Sequence, residues 1–482
     1  MRPLFRLHPT LASAALAAVL AILNGRYDYH RDELYFRMLE PAWGYVDQPP
    51  LTPLLGKASV GLLGDSLWAL RFPSILCMVG LLWIAALLTR EFGGGRAAQA
   101  LSVWGLAFAG VALAFGHQLS TNSVDLVVWT AALLFTVKAL LRDRPEWWLA
   151  VGAAAGIGLY NKHLIVLLLL SVGLALLAVG PRKALGSKWL WAGAALALVI
   201  GAPNLVYQAV NDWPQLEMAA AINETDGTEN RILLLPFQLL LIGLFLVPIW
   251  IAGLVALLRR TEWRPIRALA VAYPILLAVT LASGGQFYYS MGLVIALYAA
   301  GCVPVAAWAA TRSRRGLLVA GVALNSAVSA LVALPLLPVD AVGGTPIPAM
   351  NSSVPDGVGW QTYTDQVAAV VDSLPPEANA AVLTANYGEA GALERYGEDL
   401  PPIVSGHNQL HEYGPPPAAT DTVVTVGLDL ARVSRFFDSC VEAAELDSGL
   451  DVDNEEQGQL IGVCTGPVSD WASLWPEFQH YS

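Results

Sequence analysis

Arg31-Asp32-Glu33-Leu34-Tyr35-Phe36, then Gly44-Tyr45-Val46-Asp47-Gln48-Pro49-Pro50, follows the first apolar stretch of a chain that is 56% hydrophobic and 13% charged. Two adjacent carboxylates do not belong beside a bilayer unless something holds or uses them. Here they come with aromatics, an arginine and a Pro-Pro stop. That combination marks a shaped loop at a membrane face and makes it the candidate working end of a membrane enzyme.

Outward from this loop the sequence is dominated by apolar runs. Stretches of about 20 residues, enough to cross a bilayer core, recur up to Pro338 and then stop. Eleven spans are expected, near 9–25, 66–89, 97–116, 122–141, 147–161, 163–180, 188–209, 232–257, 265–282, 289–309 and 316–337. The expected architecture is therefore a polytopic α-helical membrane protein with a soluble C-terminal α/β domain. Residues 1–338 form the membrane domain, with 26–65 as its catalytic first outer loop. Residues 339–360, rich in Pro and Gly, read as a linker, and 361–482 as the soluble domain. Frequent small residues, as in Gly152-Ala153-Ala154-Ala155-Gly156-Ile157-Gly158, read as close helix packing.

The cations orient the spans. With the N-terminus cytoplasmic, 17 of the 27 Lys and Arg fall in the expected inside loops, as the positive-inside rule requires. The one basic outside loop is the first, with Arg26, Arg31, Arg37, Lys57 and Arg71, so its cations are expected to be functional. An odd number of spans places the C-terminal domain outside the cell membrane. From residue 340 onward it carries 22 carboxylates and 3 arginines, a formal charge of −19. Such a surface argues against nucleic acid or anionic headgroups as partners. Cys440 and Cys464 both lie there and could pair as a disulfide in an oxidising compartment. Cys77 and Cys302 fall within spans and read as packing residues.

Six places could carry chemistry. Asp32 and Glu33 would point about 100° apart on a helix, so one can act as a base while the other orients the loop through Arg31 or Arg37. Tyr35 lies on the same segment. Asp47 and Gln48 are held rigidly by Pro49-Pro50, in a manner suited to a sugar or a phosphate, although a plain turn fits as well. Asp125, about one turn into the fourth span, is a second acid or a cap partner. Lys162, with His163 beside it, interrupts two spans and could hold a lipid phosphate or simply reach the interface. Gln286, Tyr288 and Tyr289 stand between spans nine and ten as phosphate contacts or belt anchors. Arg231 is the only cation in the outer loop 210–231, which reads as a mobile lid. There is no CxxC or His/Cys cluster, so no soft-metal site is signalled. Carboxylates beside a phosphate could recruit a divalent ion, but nothing requires one.

The first-loop motifs Arg-Asp-Glu-Leu-Tyr-Phe and Gly-Tyr-Val-Asp-Gln-Pro-Pro-Leu-Thr resemble bacterial members of glycosyltransferase family 39, relatives of protein O-mannosyltransferases and of the lipid A aminoarabinose transferase. The resemblance continues through Thr121–Asp125, Tyr160–His163 and Gly284–Tyr289. It reaches Asn386-Tyr387-Gly388-Glu389-Ala390-Gly391-Ala392 and Ser405-Gly406-His407-Asn408. It implies a GT-C membrane enzyme that passes a sugar, with inversion, from a polyprenyl-phosphate carrier to an acceptor hydroxyl on a glycan, lipid or protein. It maps the catalytic base to Asp32, places Glu33 in the same acidic motif and maps the second-loop carboxylate to Asp125. Gln48 stands where the aminoarabinose branch has a phosphate-binding lysine, and Gln286 where many relatives have a lysine. The expected phosphate contacts therefore shift to Lys162, Arg231, Tyr288 and Tyr289. A polyprenyl-lipid flippase and a non-catalytic membrane scaffold are the alternatives, although no inverted repeat is visible.

Overall fold

The computed structural model describes residues 2–481. The chain divides into two compact units, and the division does not follow chain order. One unit comprises Met1–Asn24, Gln48–Leu55 and Arg71–Leu334; the other comprises Gly25–Asp47, Gly56–Leu70 and Pro335–Ser482. The first loop, expected as part of the membrane domain, thus folds together with the C-terminal chain.

The first unit is helical. Leu67–Glu91, Thr121–Leu141, Lys188–Val210, Met291–Trp308 and Arg312–Ala333 are each long and apolar enough to cross a membrane. Arg96–Ala107 and Gly110–His117 pass that test together, with a 50° bend between them. Shorter apolar helices, Leu7–Leu23, Trp147–Leu159, Ile165–Val179, Leu244–Arg259 and Ala268–Ser283, fall at the other five expected spans. The chain is therefore a membrane protein. Its helices approach closely where the sequence is small: a Cβ on Gly152 would strike the Gly193 backbone, and one on Gly193 the Trp148 carbonyl.

Two expectations for this unit fail. The span 232–257 is broken between the helices Gly227–Phe237 and Val247–Arg259. Pro236 and Pro248 each lack an N–H, and Gly243 takes φ +101, a conformation glycine adopts without strain. Asn325 repairs the break by donating to the Ile242 carbonyl at 3.1 Å, as freed backbone groups at membrane depth require. The loop 210–231, taken as a lid without regular structure, instead forms the helix Pro214–Thr225 and the start of Gly227–Phe237. Pro at the first helical position pre-sets the backbone there.

The second unit holds a five-stranded sheet: β1 (Ala380–Thr384), β2 (Ile403–Ser405), β3 (Thr422–Val426), β4 (Phe437–Glu445) and β5 (Leu460–Pro467). Their order is β2-β1-β3-β5-β4. β1 pairs parallel with β2 and β3; β5 pairs antiparallel with β3 and β4. Val423, Val424, Leu383 and Ile461 are fully or almost fully buried, as the β-branched runs at 380–384 and 422–426 led one to expect. Cys440 and Cys464 lie opposite one another in the β4–β5 register and are joined by a disulfide. The expected linker is ordered: Val342, Val354 and Val358 are buried in a cluster with Val452.

The chain leaving β1 runs to β2 on one side, whereas the chain leaving β3 runs to β4 on the other, so the direction of connection reverses between the carboxyl ends of β1 and β3. In open α/β sheets that switch point is where ligand sites form. Asn386 and Tyr387 emerge there, opening the helix Tyr387–Tyr396, and His407 follows the end of β2.

Candidate active site

In the second unit the first-loop motif forms a short helix, Arg31–Met38. His30 caps it: its Nδ1 accepts from the Asp32 amide at 3.1 Å, while Glu33 Oε2 accepts from the His30 amide at 2.9 Å. This reciprocal arrangement is a capping box. Glu33 is completely buried and serves the helix end, whereas the Asp32 side chain is 36% exposed. His30 Nε2 faces Asp356 at 3.4 Å. Burial opposes a charged imidazole, but the Asp356 hydrogen bond and the Asp32 and Glu33 charges outweigh it and raise its pKa.

Asp32 Oδ1 accepts from the Tyr387 hydroxyl at 2.9 Å. Its Oδ2 is 4.0 Å from His30 Nδ1, beyond a hydrogen bond. The Tyr387 ring stacks on Tyr35 at 4.5 Å and on His407 at 4.8 Å. His407 stacks in turn on His480, and its Nδ1 accepts from the Tyr387 amide at 3.1 Å. Tyr35 donates to Asp47 Oδ1 at 3.1 Å, and burial pushes the Asp47 carboxyl up to about 7. The Asn386–Glu389 pair forms a second capping box that fixes the start of the Tyr387 helix. Neither Tyr387 nor Tyr35's partner network was anticipated as functional. The signal was the Asn386–Ala392 motif, which had no assigned role.

The first-loop cations expected to be functional are engaged by the protein. Arg31 pairs with Glu455, Arg37 with Asp65, and Arg26 donates to the Leu336 carbonyl at 3.4 Å. In the other unit, Arg71 donates to the Asn24 carbonyl at 2.5 Å. Four of the five basic side chains of the expected first loop are thus held by a carboxylate or a backbone carbonyl of their own unit.

The first unit gathers three of the sequence candidates in one place. Lys162 Nζ lies 3.1 Å from Asn122 Oδ1 and 5.7 Å from the ring centroids of both Tyr288 and Tyr289. Asp125 lies one turn further along the same helix as Asn122, Thr121–Leu141. Asn161 fixes the neighbourhood, accepting from Thr52 at 2.6 Å and donating to the Thr121 carbonyl at 2.7 Å. His163 contacts Asn204 at 2.9 Å, a packing role. Gln48 is half-buried in the turn before the Leu51–Leu63 helix. Arg231 is exposed and tied down, donating to Asn223 at 2.7 Å and to the Leu281 carbonyl at 3.2 Å. Gln286 reaches Asp226 at 3.4 Å. Among the described residues no group of three or more His, Cys, Asp or Glu could hold a metal ion.

This fold has solved relatives. ArnT from Cupriavidus metallidurans, bound to undecaprenyl phosphate, superposes with a TM-score of 0.63 at 16% identity, covering 94% of this chain and 97% of that one. The archaeal oligosaccharyltransferase AglB from Archaeoglobus fulgidus, in complex with an inhibitory peptide and a dolichol-phosphate, gives 0.52 at 13% identity over 87% and 69%. The mycobacterial arabinofuranosyltransferase AftD gives 0.53 at 13% identity, over 95% of this chain and 40% of that one. The chain therefore has the GT-C fold of membrane glycosyltransferases. Within it, residues 47–207 match the family model described as dolichyl-phosphate-mannose-protein mannosyltransferase. No curated protein matches the chain by sequence.

Proposed function

We propose that this protein is an inverting glycosyltransferase that takes a sugar from a polyprenyl-phosphate donor and passes it to an acceptor hydroxyl. Asp32 is the general base. The observation that carries the reading is the contrast between two neighbouring carboxylates: Glu33 is consumed by a helix cap, while Asp32 is half-exposed with one oxygen held and the other open. The fold shared with ArnT, whose structure holds undecaprenyl phosphate, supports the donor class.

The chemistry follows. The open oxygen of Asp32 takes the acceptor's proton as its hydroxyl attacks the anomeric carbon. The bond from that carbon to the phosphate oxygen breaks, and the configuration inverts. A polyprenyl phosphate leaves as a stable dianion, so no nucleotide need be bound. Lys162 offsets the charge that builds on the phosphate, where a preplaced cation is most effective. Tyr288 and Tyr289 flank it and can donate to the phosphate oxygens. Asn122 holds Lys162 in place by accepting from its ammonium. Gln286, Arg231 and Gln48 would contact the donor headgroup only as neutral or peripheral groups. Asp47, raised toward neutrality by burial, anchors Tyr35. The reading puts the N-terminus in the cytoplasm and the Gly25–Asp47 and Pro335–Ser482 segments outside, which the excess of cations in the expected inside loops supports. Sugar acceptors on glycan, lipid or protein all fit this chemistry.

The test uses the purified protein in liposomes with a panel of radiolabelled sugars carried on undecaprenyl phosphate and an envelope extract as acceptor. Release of free undecaprenyl phosphate is measured. Asp32→Asn should lower it at least roughly 10²-fold, the usual contribution of a general base, with unchanged folding. Full activity in that variant would remove Asp32 from the mechanism. A flippase would move the lipid without cleaving it.

A further inference from the structure

We infer that Tyr387 is a positioning residue for the base: its hydroxyl fixes the rotation of the Asp32 carboxylate so that one oxygen stays available to the acceptor. The inference rests on the proposed transfer reaction.

Four observations converge on it. The contact joins residues 355 positions apart, at 2.9 Å, between the first loop and the carboxyl end of β1. Tyr387 cannot swing away. Its ring is held between Tyr35 and His407, and the Arg31 guanidinium lies 4.9 Å from its centroid. Its amide is bonded to His407, and the Asn386–Glu389 capping box sets the helix it opens. The hydroxyl also remains a donor. Burial first, then the Asp32 charge, hold its pKa well above the usual phenol range.

An aspartate carboxylate rotates freely about its last bond, since that torsion is broad and two-fold. Bonding Oδ1 to a fixed phenol removes that freedom. The two oxygens then have separate tasks: Oδ1 is held and Oδ2 receives the proton. The helices carrying the two residues meet through Gly388 and Gly391. A Cβ on Gly388 would stand 3.1 Å from Arg31 Cβ, and one on Gly391 would stand 2.7 Å from Leu34 Cβ. Glycine at both places lets Tyr387 reach Asp32 at hydrogen-bond distance.

The experiment compares wild type, Tyr387→Phe, Asp32→Asn and the double variant in liposomes, using the radiolabelled undecaprenyl-phosphate sugar that the panel identifies as donor. Tyr387→Phe keeps the ring stack and loses only the hydroxyl. Its kcat should fall about 10- to 100-fold, as for misplacement of a catalytic group, with donor KM unchanged. In the Asp32→Asn background the same change should cost nothing more. A fully active Asp32→Asn would sink the proposed mechanism itself. An inactive Asp32→Asn beside a Tyr387→Phe of unaltered kcat would overturn this inference alone. Should Tyr387→Phe fail to fold, 3,5-difluorotyrosine at position 387 strengthens the donor within the same ring. Its kcat must then change with donor KM unmoved, and an unchanged kcat overturns the inference.

Discussion

At the scale of single residues, position on a helix end separates two chemically equal carboxylates. Glu33 occupies the third helical position, where its side chain can reach back to the His30 amide, and so it is buried in a cap. Asp32 occupies the second, where it cannot do so, and it turns to Tyr387. Exchanging their roles is therefore not symmetric. Glu33→Gln should retain most activity because the amide oxygen still accepts from His30, with stability lowered by about 1 kcal/mol; thermal unfolding and donor turnover measured side by side check it. Lys162 is the corresponding cation of the other unit. Lys162→Met keeps the stem and deletes the charge, and kcat/KM for the donor should fall roughly 10²-fold. Arg231→Met, by contrast, should cost little, since Asn223 and the Leu281 carbonyl already occupy its guanidinium. Kinetics with the same labelled donor distinguish the two, and equal losses would displace Lys162 as the principal phosphate contact.

At the scale of elements, the contact between Arg31–Met38 and Tyr387–Tyr396 carries the site. It is close because Gly391 presents no side chain to Leu34, whose backbone would lie 2.9 Å from an added Cβ. Gly391→Val should therefore destabilise this unit by about 1–3 kcal/mol, as overpacking does, and lower turnover by pushing the helix that bears Asp32 away from Tyr387. A lower melting temperature with unimpaired turnover would show that the spacing does not matter to the chemistry. The sheet contributes in another way. Its order places the ends of β1 and β2 side by side, so Tyr387 and His407 stack although 20 residues separate them.

At the scale of the whole molecule, two buried carboxylates of the second unit couple stability to pH. Burial first, and then the Glu456 charge, push Glu389 up to about 8; burial also raises Glu456, to about 7, from ordinary values of 4.5. Both groups are nearly inaccessible. Between about pH 4.5 and 8 the folded state thus binds more protons than the unfolded chain, and stability falls as pH rises through that window. Glu456→Gln keeps an acceptor for the Asn386 amide, which donates to Glu456 at 3.3 Å, and removes one of the two titrations. The loss of stability between pH 5 and 8 should shrink by roughly 2 kcal/mol. Thermal unfolding across that range is the measurement, and an unchanged slope would remove the pair from the pH response.

Much of this was legible in the chain because it is local. Apolar runs declare membrane helices, since a span must bury every backbone group within itself, and 380–384, 422–426 and the helix near 388–395 declare themselves by short-range pattern. The first-loop motif, Asp125, Lys162 and the tyrosines at 288 and 289 stood out as polar groups in apolar surroundings. What no local pattern contains is which of them meet. β4 and β5 were not read, because β4 is an edge strand exposed along most of its length and lacks a run of buried residues. The break at Gly243 was hidden within an unbroken apolar stretch, and its repair depends on Asn325, far along the chain. The cations of the first loop looked like ligand contacts because their partners, Glu455 and the Leu336 carbonyl, lie hundreds of residues away. The sequence by itself determined the membrane class, the acidic loop and the pool of candidate groups, for these depend on composition and neighbours. Only the tertiary structure decided that Glu33 caps a helix, that Arg31 answers an acidic unit, and that Tyr387 holds Asp32, because a hydrogen bond is set by distance in space and not by distance along the chain.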